Sequence, residues 1–316
     1  MLSLLAFAAI NASAQEEGMP TASTSTSVTV DEPPPIAGAW AGSAAANLLL
    51  EDGSFIPNRR SPWAVSWFNW ASVNVRNQRE GSGRLETYNY ISTDYRLNWD
   101  SKISIRPEFY VSGAGKDFFG DDVKGETEMG DIYAQYTHNS IALVPTPFGD
   151  AGLSGSARIY YPNSEYAKMQ RQITRLQARM MFSMPVGNGF WLTYHFRPMY
   201  LVQRQRAYLN EFFNAKSNEH YRLEQILELN KQITQRVALS QQVGVNHRHF
   251  YESGPNNIEA RTDGYLQMST SASIFLGQVS FRGGLSYETK LARPGRNKDL
   301  YNETDTTYFL MTSVRL

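Results

Sequence analysis

The sequence predicts an all-β fold: a closed antiparallel up-and-down β-barrel of about twelve strands that crosses a membrane. Three observations lead there. From residue 62 onward, apolar and polar residues alternate with a period of two. The alternating segments are long, mostly about 11–16 residues, where ordinary globular strands average about 5–6 and spanning strands need about 9–11. Tight turns also alternate with longer polar loops, which puts the two kinds of connection at opposite rims.

The clearest element is Lys102 to Gly113. Ile103, Ile105, Pro107, Phe109 and Val111 fall on one face, and Ser104, Arg106, Glu108, Tyr110 and Ser112 on the other. Phe190 to Gln203 and Gln278 to Thr289 repeat the pattern. The twelve segments run about 62–77, 86–100, 102–113, 126–138, 151–161, 170–185, 190–203, 220–230, 232–250, 261–276, 278–289 and 305–316. Two stretches, 164–182 and 217–232, also fit a helical stripe, and strand or helix stays open for them. Asn139 to Asp150 breaks the scheme: it falls on the short-turn side, yet reads as a long loop with Pro145 and Pro147. Ile105–Val111 is echoed by Phe196–Val202 and more weakly by Phe281–Tyr287, on the third, seventh and eleventh segments. Pro107 and Pro198 are expected to mark bulges or local irregularities, because proline removes a ladder donor.

Ahead of the barrel, 1–14 reads as a signal peptide: an apolar run from Leu2 to Ile10, then Ala12-Ser13-Ala14. Residues 15–61 read as a periplasmic linker, Ser/Thr-rich and closing on Pro33-Pro34-Pro35, with Ala37–Leu50 as a short plug or more linker. The barrel takes 62–316.

Composition removes several function classes. Lys+Arg and Asp+Glu are both 30, so there is no bulk positive charge for nucleic acid. Cysteine is absent, which excludes a disulfide scaffold, a thiolate nucleophile and cysteine metal sites. No cofactor or metal site is expected.

The oily face carries aromatics near segment ends: Trp99, Phe109, Tyr161, Phe182, Phe190, Tyr200, Tyr221, Phe281, Tyr287 and Tyr308. Rings flanking an apolar band form the interfacial girdles of a membrane barrel. The last segment alternates Tyr308, Leu310, Thr312, Val314 and Leu316. It resembles the terminal strand of bacterial outer-membrane proteins, although it ends in leucine where that pattern usually ends in an aromatic residue. The chain over 62–316 thus resembles transmembrane β-barrels of the bacterial outer membrane, porin-like in size. The resemblance implies the outer membrane of a Gram-negative bacterium, periplasmic termini, and contact with the lipid bilayer and lipopolysaccharide.

The wet face supplies the candidate pore lining: Arg106, Arg158, Arg197, Arg236 and Arg282, with Arg175 and Arg179 from return strands, against Glu108, Asp131, Glu224 and Glu288. A cationic bore concentrates anions. The expected function is passive diffusion of small polar solutes with an anion preference. The same charges would equally build an ion-pair lattice that fills the bore. The alternative function is therefore a closed structural or surface-binding barrel engaging an envelope partner. A hydrolase is the weakest reading, and no catalytic residue is assigned. Twelve-stranded outer-membrane phospholipases place a His and a Ser two residues apart, followed by Asn-Gly, and no such string occurs. His247 and His249 are expected at the outer rim, facing solvent or lipid phosphate.

Overall fold

The computed structural model describes residues 62–81, 83–116, 122–209, 215–251, 261–291 and 305–315. The readings of 1–14 and 15–61 lie outside these residues. Twelve strands close into one antiparallel barrel. They are β1 Trp63–Asn74, β2 Glu86–Arg96, β3 Ser101–Ser112, β4 Glu126–Thr146, β5 Gly149–Tyr161 and β6 Gln172–Gly187. The second half is β7 Phe190–Gln203, β8 Glu219–Gln232, β9 Val237–Phe250, β10 Arg261–Leu276, β11 Val279–Lys290 and β12 Thr306–Arg315. Each strand pairs with its neighbours in sequence, and β1 pairs with β12 from Ser66↔Arg315 to Asn74↔Thr307. Closure leaves no open edge around the ring, so the backbone groups of the wall are satisfied within it.

Local chemistry explains the tight turns. Between β2 and β3, the Asn98 side chain accepts from the backbone N–H groups of Asp100 and Ser101 at 2.9 and 2.7 Å, an Asx turn. Between β6 and β7, Asn188 and Gly189 adopt positive φ (52° and 72°), as a two-residue hairpin of matching twist requires. Between β8 and β9, the Thr234 hydroxyl accepts from Arg236 N–H and Val237 N–H.

Both ambiguous stretches resolve. Residues 217–232 carry strand β8. In 164–182, one short helix, α1 Glu165–Met169, precedes β6 and is capped by Ser164, whose side chain accepts from Ala167 N–H at 3.2 Å. Arg171 then turns through positive φ and the strand begins.

The stretch Asn139–Asp150 is not a loop. It is the continuation of β4 and the start of β5, paired from Ala142↔Leu153 to Thr146↔Gly149 beyond a register shift after His138. β3 ends its pairing at Ser101↔His138, so 139–146 has no strand on that side. An edge residue whose N–H faces no partner loses nothing by being proline, and Pro145 sits there without breaking the ribbon. Pro107 marks a bulge as expected: the β3–β4 register shifts between Pro107 and Phe109. Pro198 shifts nothing; the β6–β7 partners keep one register from Gln177↔Met199 to Met180↔Phe196 and skip the two positions between.

Parity along the strands sorts the two faces. Ile103, Ile105, Ile159, Leu176, Tyr200, Leu227 and Leu310 point outward and are exposed. Several polar side chains on that face pair with each other. Asn69 donates to Asn89 at 2.8 Å, Tyr194 to Gln225 at 2.7 Å and Thr270 to Gln241 at 2.5 Å. Among the described residues no helix is long and apolar enough to cross a membrane.

Candidate functional site

The interior of the barrel divides into two walls. On β2–β6, arginines stack on tyrosines. The Arg106 guanidinium lies 5.0 Å from the Tyr90 ring centre and 5.8 Å from that of Tyr133. Arg158 lies 4.6 Å from Tyr133, and Arg175 lies 3.7 Å from Tyr160. The Tyr133 and Tyr160 rings themselves stack at 4.8 Å. The result is a ladder of alternating cations and rings climbing from the middle of β3 to the long-loop end of β6. Several of its hydrogen bonds run to neutral oxygens: Arg106 Nε to Ser92 at 2.9 Å, Arg158 Nε to Gln135 Oε1 at 2.6 Å, Arg158 Nη1 to the Tyr160 hydroxyl at 3.1 Å, and Arg179 Nε to Gln177 Oε1 at 3.2 Å.

Of the acids of this wall, Asp94 pairs with Lys102 at 2.5 Å. Glu108 sits in the Pro107 bulge and accepts from the Tyr88 hydroxyl at 2.6 Å. Gly130 makes the room, since a Cβ there would fall 2.7 Å from Glu108 Cβ. Asp131 accepts from the backbone N–H groups of Asn163 and Ser164 at 2.9 and 3.0 Å, holding the loop ahead of α1; Arg175 approaches it at 3.8 Å. Between the strand ends, Lys102, Arg106, Arg158, Arg175 and Arg179 stand against Asp94, Glu108, Glu128 and Asp131 on this face.

On β7–β11 the cations are matched to acids. Arg197 Nη1 meets Glu224 Oε2 at 2.7 Å, and His195 Nε2 meets Glu228 Oε2 at 3.0 Å. The other Glu228 oxygen accepts from Arg282 Nη2 at 3.4 Å, while Arg282 Nε donates to Ser271 at 2.7 Å. Arg282 is on β11 and Glu228 on β8, so this contact passes over β9 and β10 and forms a chord across the interior. Toward the long-loop rim, Arg248 pairs with Glu288 at 3.5 Å and Lys290 with Asp263 at 2.8 Å. The chord is enclosed, with Glu228 3% and Arg282 4% exposed. His195 Nδ1, Arg282 Nη1 and Asn246 Oδ1 are buried without a protein partner.

Of the residues proposed from sequence as lining, Arg106, Arg158, Arg175, Arg179, Glu108 and Asp131 gather on the first wall, and Arg197, Arg282, Glu224 and Glu288 on the second. Arg236 belongs to neither. It lies exposed in the β8–β9 turn, because the Thr234 turn ends β8 at Gln232 and delays β9 to Val237. Sequence reading did not single out several of the residues that organise the walls: Tyr90, Tyr133 and Gln135 on one, Ser271 on the other. Their inward parity was visible, but which strands face each other across the interior was not.

The aromatics fall near both rims. Phe109, Tyr161, Tyr200, Tyr221 and Tyr308 point outward toward the long-loop end, and Phe182, Phe190 and Phe281 toward the short-turn end. Trp99 is in the β2–β3 turn, 79% exposed, not on a strand. Tyr287 has outward parity but is buried at 1% exposure. Trp63 and Tyr95, ring centres 4.7 Å apart, add to the short-turn rim and were missed.

No protein-family model and no curated protein matches the chain. Solved structures do. An outer-membrane channel from Pseudomonas putida F1 is similar at TM-score 0.50 and 9% identity, covering 83% of this chain and 100% of that one. This is a bacterial outer-membrane-type β-barrel. The translocator domain of the autotransporter NalP from Neisseria meningitidis is similar at TM-score 0.42 and 10% identity, over 89% and 99% of the two chains. The NanC porin is similar at TM-score 0.42 and 9% identity, over 80% and 100%.

Proposed function

We propose that the protein is an outer-membrane channel for passive diffusion of small polar solutes with a preference for anions. On this reading it sits in a Gram-negative outer membrane with both termini in the periplasm, among phospholipid and lipopolysaccharide, and performs no catalysis. The observation that carries it is the arginine–tyrosine ladder. A planar cation stacked on a ring and hydrogen-bonded to neutral oxygens keeps its charge, and a face where cations exceed acids favours anions over cations in a low-dielectric bore. The buried polar atoms beside the chord support a hydrated path, because such atoms are normally satisfied by water or polar solute. The chord itself is the constriction, and its ion pairs set how wide the path opens.

A second reading is favoured by the same chord: a closed barrel whose interior charges serve cohesion, with the projecting β4–β5 ribbon or the long loops engaging an envelope partner. Reconstitution into planar bilayers separates the two. Discrete conductance steps support the channel; a folded, inserted protein that passes no current supports the closed barrel.

A further inference from the structure

We propose that the outer wall of β6–β9 at the long-loop end binds one phosphate-bearing lipid, with its head group against His220, His249 and Tyr251 and an acyl chain in the crevice below Tyr200 and Tyr221. The register lays out two rows. Leu176, Tyr200, Tyr221, His249 and Thr262 are successive partners across β6–β10, forming an upper row. One step toward the barrel's middle, Ala157 and Ala178 are partners on β5 and β6, with Pro198 on β7 level with them. Two methyl groups and a flat ring cannot fill the wall to the height of the tyrosines above. The outcome is a largely apolar crevice of about 310 Å³ lined by Ala157, Leu176, Ala178, Pro198, Tyr200 and Tyr221, among others.

The polar end adjoins this crevice at Tyr221, on β8 and β9. The His220 ring lies 4.6 Å from the Tyr251 ring and 6.5 Å from that of His249, which in turn lies 5.5 Å from Tyr221. Thr262 engages His249 Nδ1 at 2.9 Å, which fixes the ring and leaves Nε2 for a ligand. His220 Nδ1 is enclosed with no protein partner. Arg206 is exposed beside the cluster, tied to it through Asn218, which donates to Arg206 C=O and accepts from Tyr251 N–H. Burial, and then the neighbouring Tyr200 hydroxyl, push the Tyr251 phenol above its ordinary value, so it stays a hydrogen-bond donor. Imidazoles, a phenol and a guanidinium are phosphate-binding groups, and the upper row contains no acid. Donors at the level of the aromatic rings with an apolar slot beneath them match a lipid's own order of head and tail.

Native mass spectrometry of the detergent-solubilised protein tests this. The probes are palmitoyl-oleoyl phosphatidic acid, the diacylglycerol with the same chains, and glycerol 3-phosphate. One phosphatidic acid should be retained, and the other two probes should bind at least about tenfold more weakly, the loss expected when charge-assisted bonds or the buried chain are removed. His220→Ala with His249→Ala should lower phosphatidic acid retention about tenfold, and Ala178→Phe should do the same by filling the slot. Folding is checked by heat-modifiable gel mobility. If Ala178→Phe does not fold, dihexanoyl phosphatidic acid replaces it as a probe and should be held more weakly than the long-chain form. Equal retention of diacylglycerol, equal binding of glycerol 3-phosphate, or a folded double histidine variant that binds like the parent would overturn the proposal, as would equal retention of the dihexanoyl form.

Discussion

The two inner walls carry the same kinds of charge and manage them in opposite ways. On β2–β6, guanidinium groups lie over tyrosine rings and donate to amide and hydroxyl oxygens. On β7–β11 they are bound to carboxylates, and one pair crosses the interior. A stacked arginine bonded to neutral oxygens keeps its charge; a paired one is neutralised and fixed. The difference assigns selectivity to the first wall and aperture and cohesion to the second.

The sharpest break in that comparison is Glu228→Ala. It strands His195 and Arg282 in an enclosed site, and loss of one partner of a buried charge pair costs about 3–5 kcal/mol. Denaturant unfolding in detergent should show a loss of this size, and any current the protein carries should rise. Arg158→Met keeps the bulk but removes a cation from the ladder. Stability should fall by only about 1–2 kcal/mol, the worth of a partly desolvated cation–π contact. If the two losses are equal, the walls are not energetically distinct. Gly130→Ala places a methyl 2.7 Å from Glu108 Cβ and 2.8 Å from the Tyr110 ring. It should cost about 1–3 kcal/mol through overpacking, and its effect should persist in a Glu108→Ala background, which keeps the Cβ, and shrink in a Glu108→Gly background, read by double-mutant cycles. Smallest of all, Leu143→Ser with Phe148→Ser on the projecting ribbon should change stability by about 0.5 kcal/mol or less, since both side chains are exposed. A larger loss would mean the ribbon packs on something the barrel needs.

These regions also differ in how far the sequence disclosed them. Strand number and parity were legible because length and period two are local properties, and Lys102–Gly113 alone shows both. The β4–β5 ribbon was read as a loop because Pro145 and Pro147 signal breaks in a paired strand, and only the absence of a β3 partner beyond His138 makes Pro145 harmless. Arg236 had the right parity, but a threonine turn took it out of the wall. The inward arginines were visible one at a time. Their division into a stacked wall and a paired wall was not, because Arg106 meets Tyr133 and Arg282 meets Glu228 only once register and closure set the strands around the ring. Glu228 is 54 residues from Arg282 and on a non-adjacent strand, beyond the reach of any spacing rule.

The central claim, that the ladder selects and the chord restricts, is tested most directly by the reversal potential of single channels under a KCl gradient. The parent protein and an Arg106→Gln, Arg158→Gln variant would be compared side by side. The stacked wall as selectivity element predicts a chloride-favouring potential in the parent that moves toward zero in the variant while the channel stays folded. A cation-favouring parent, or a potential unmoved by both substitutions, would contradict it.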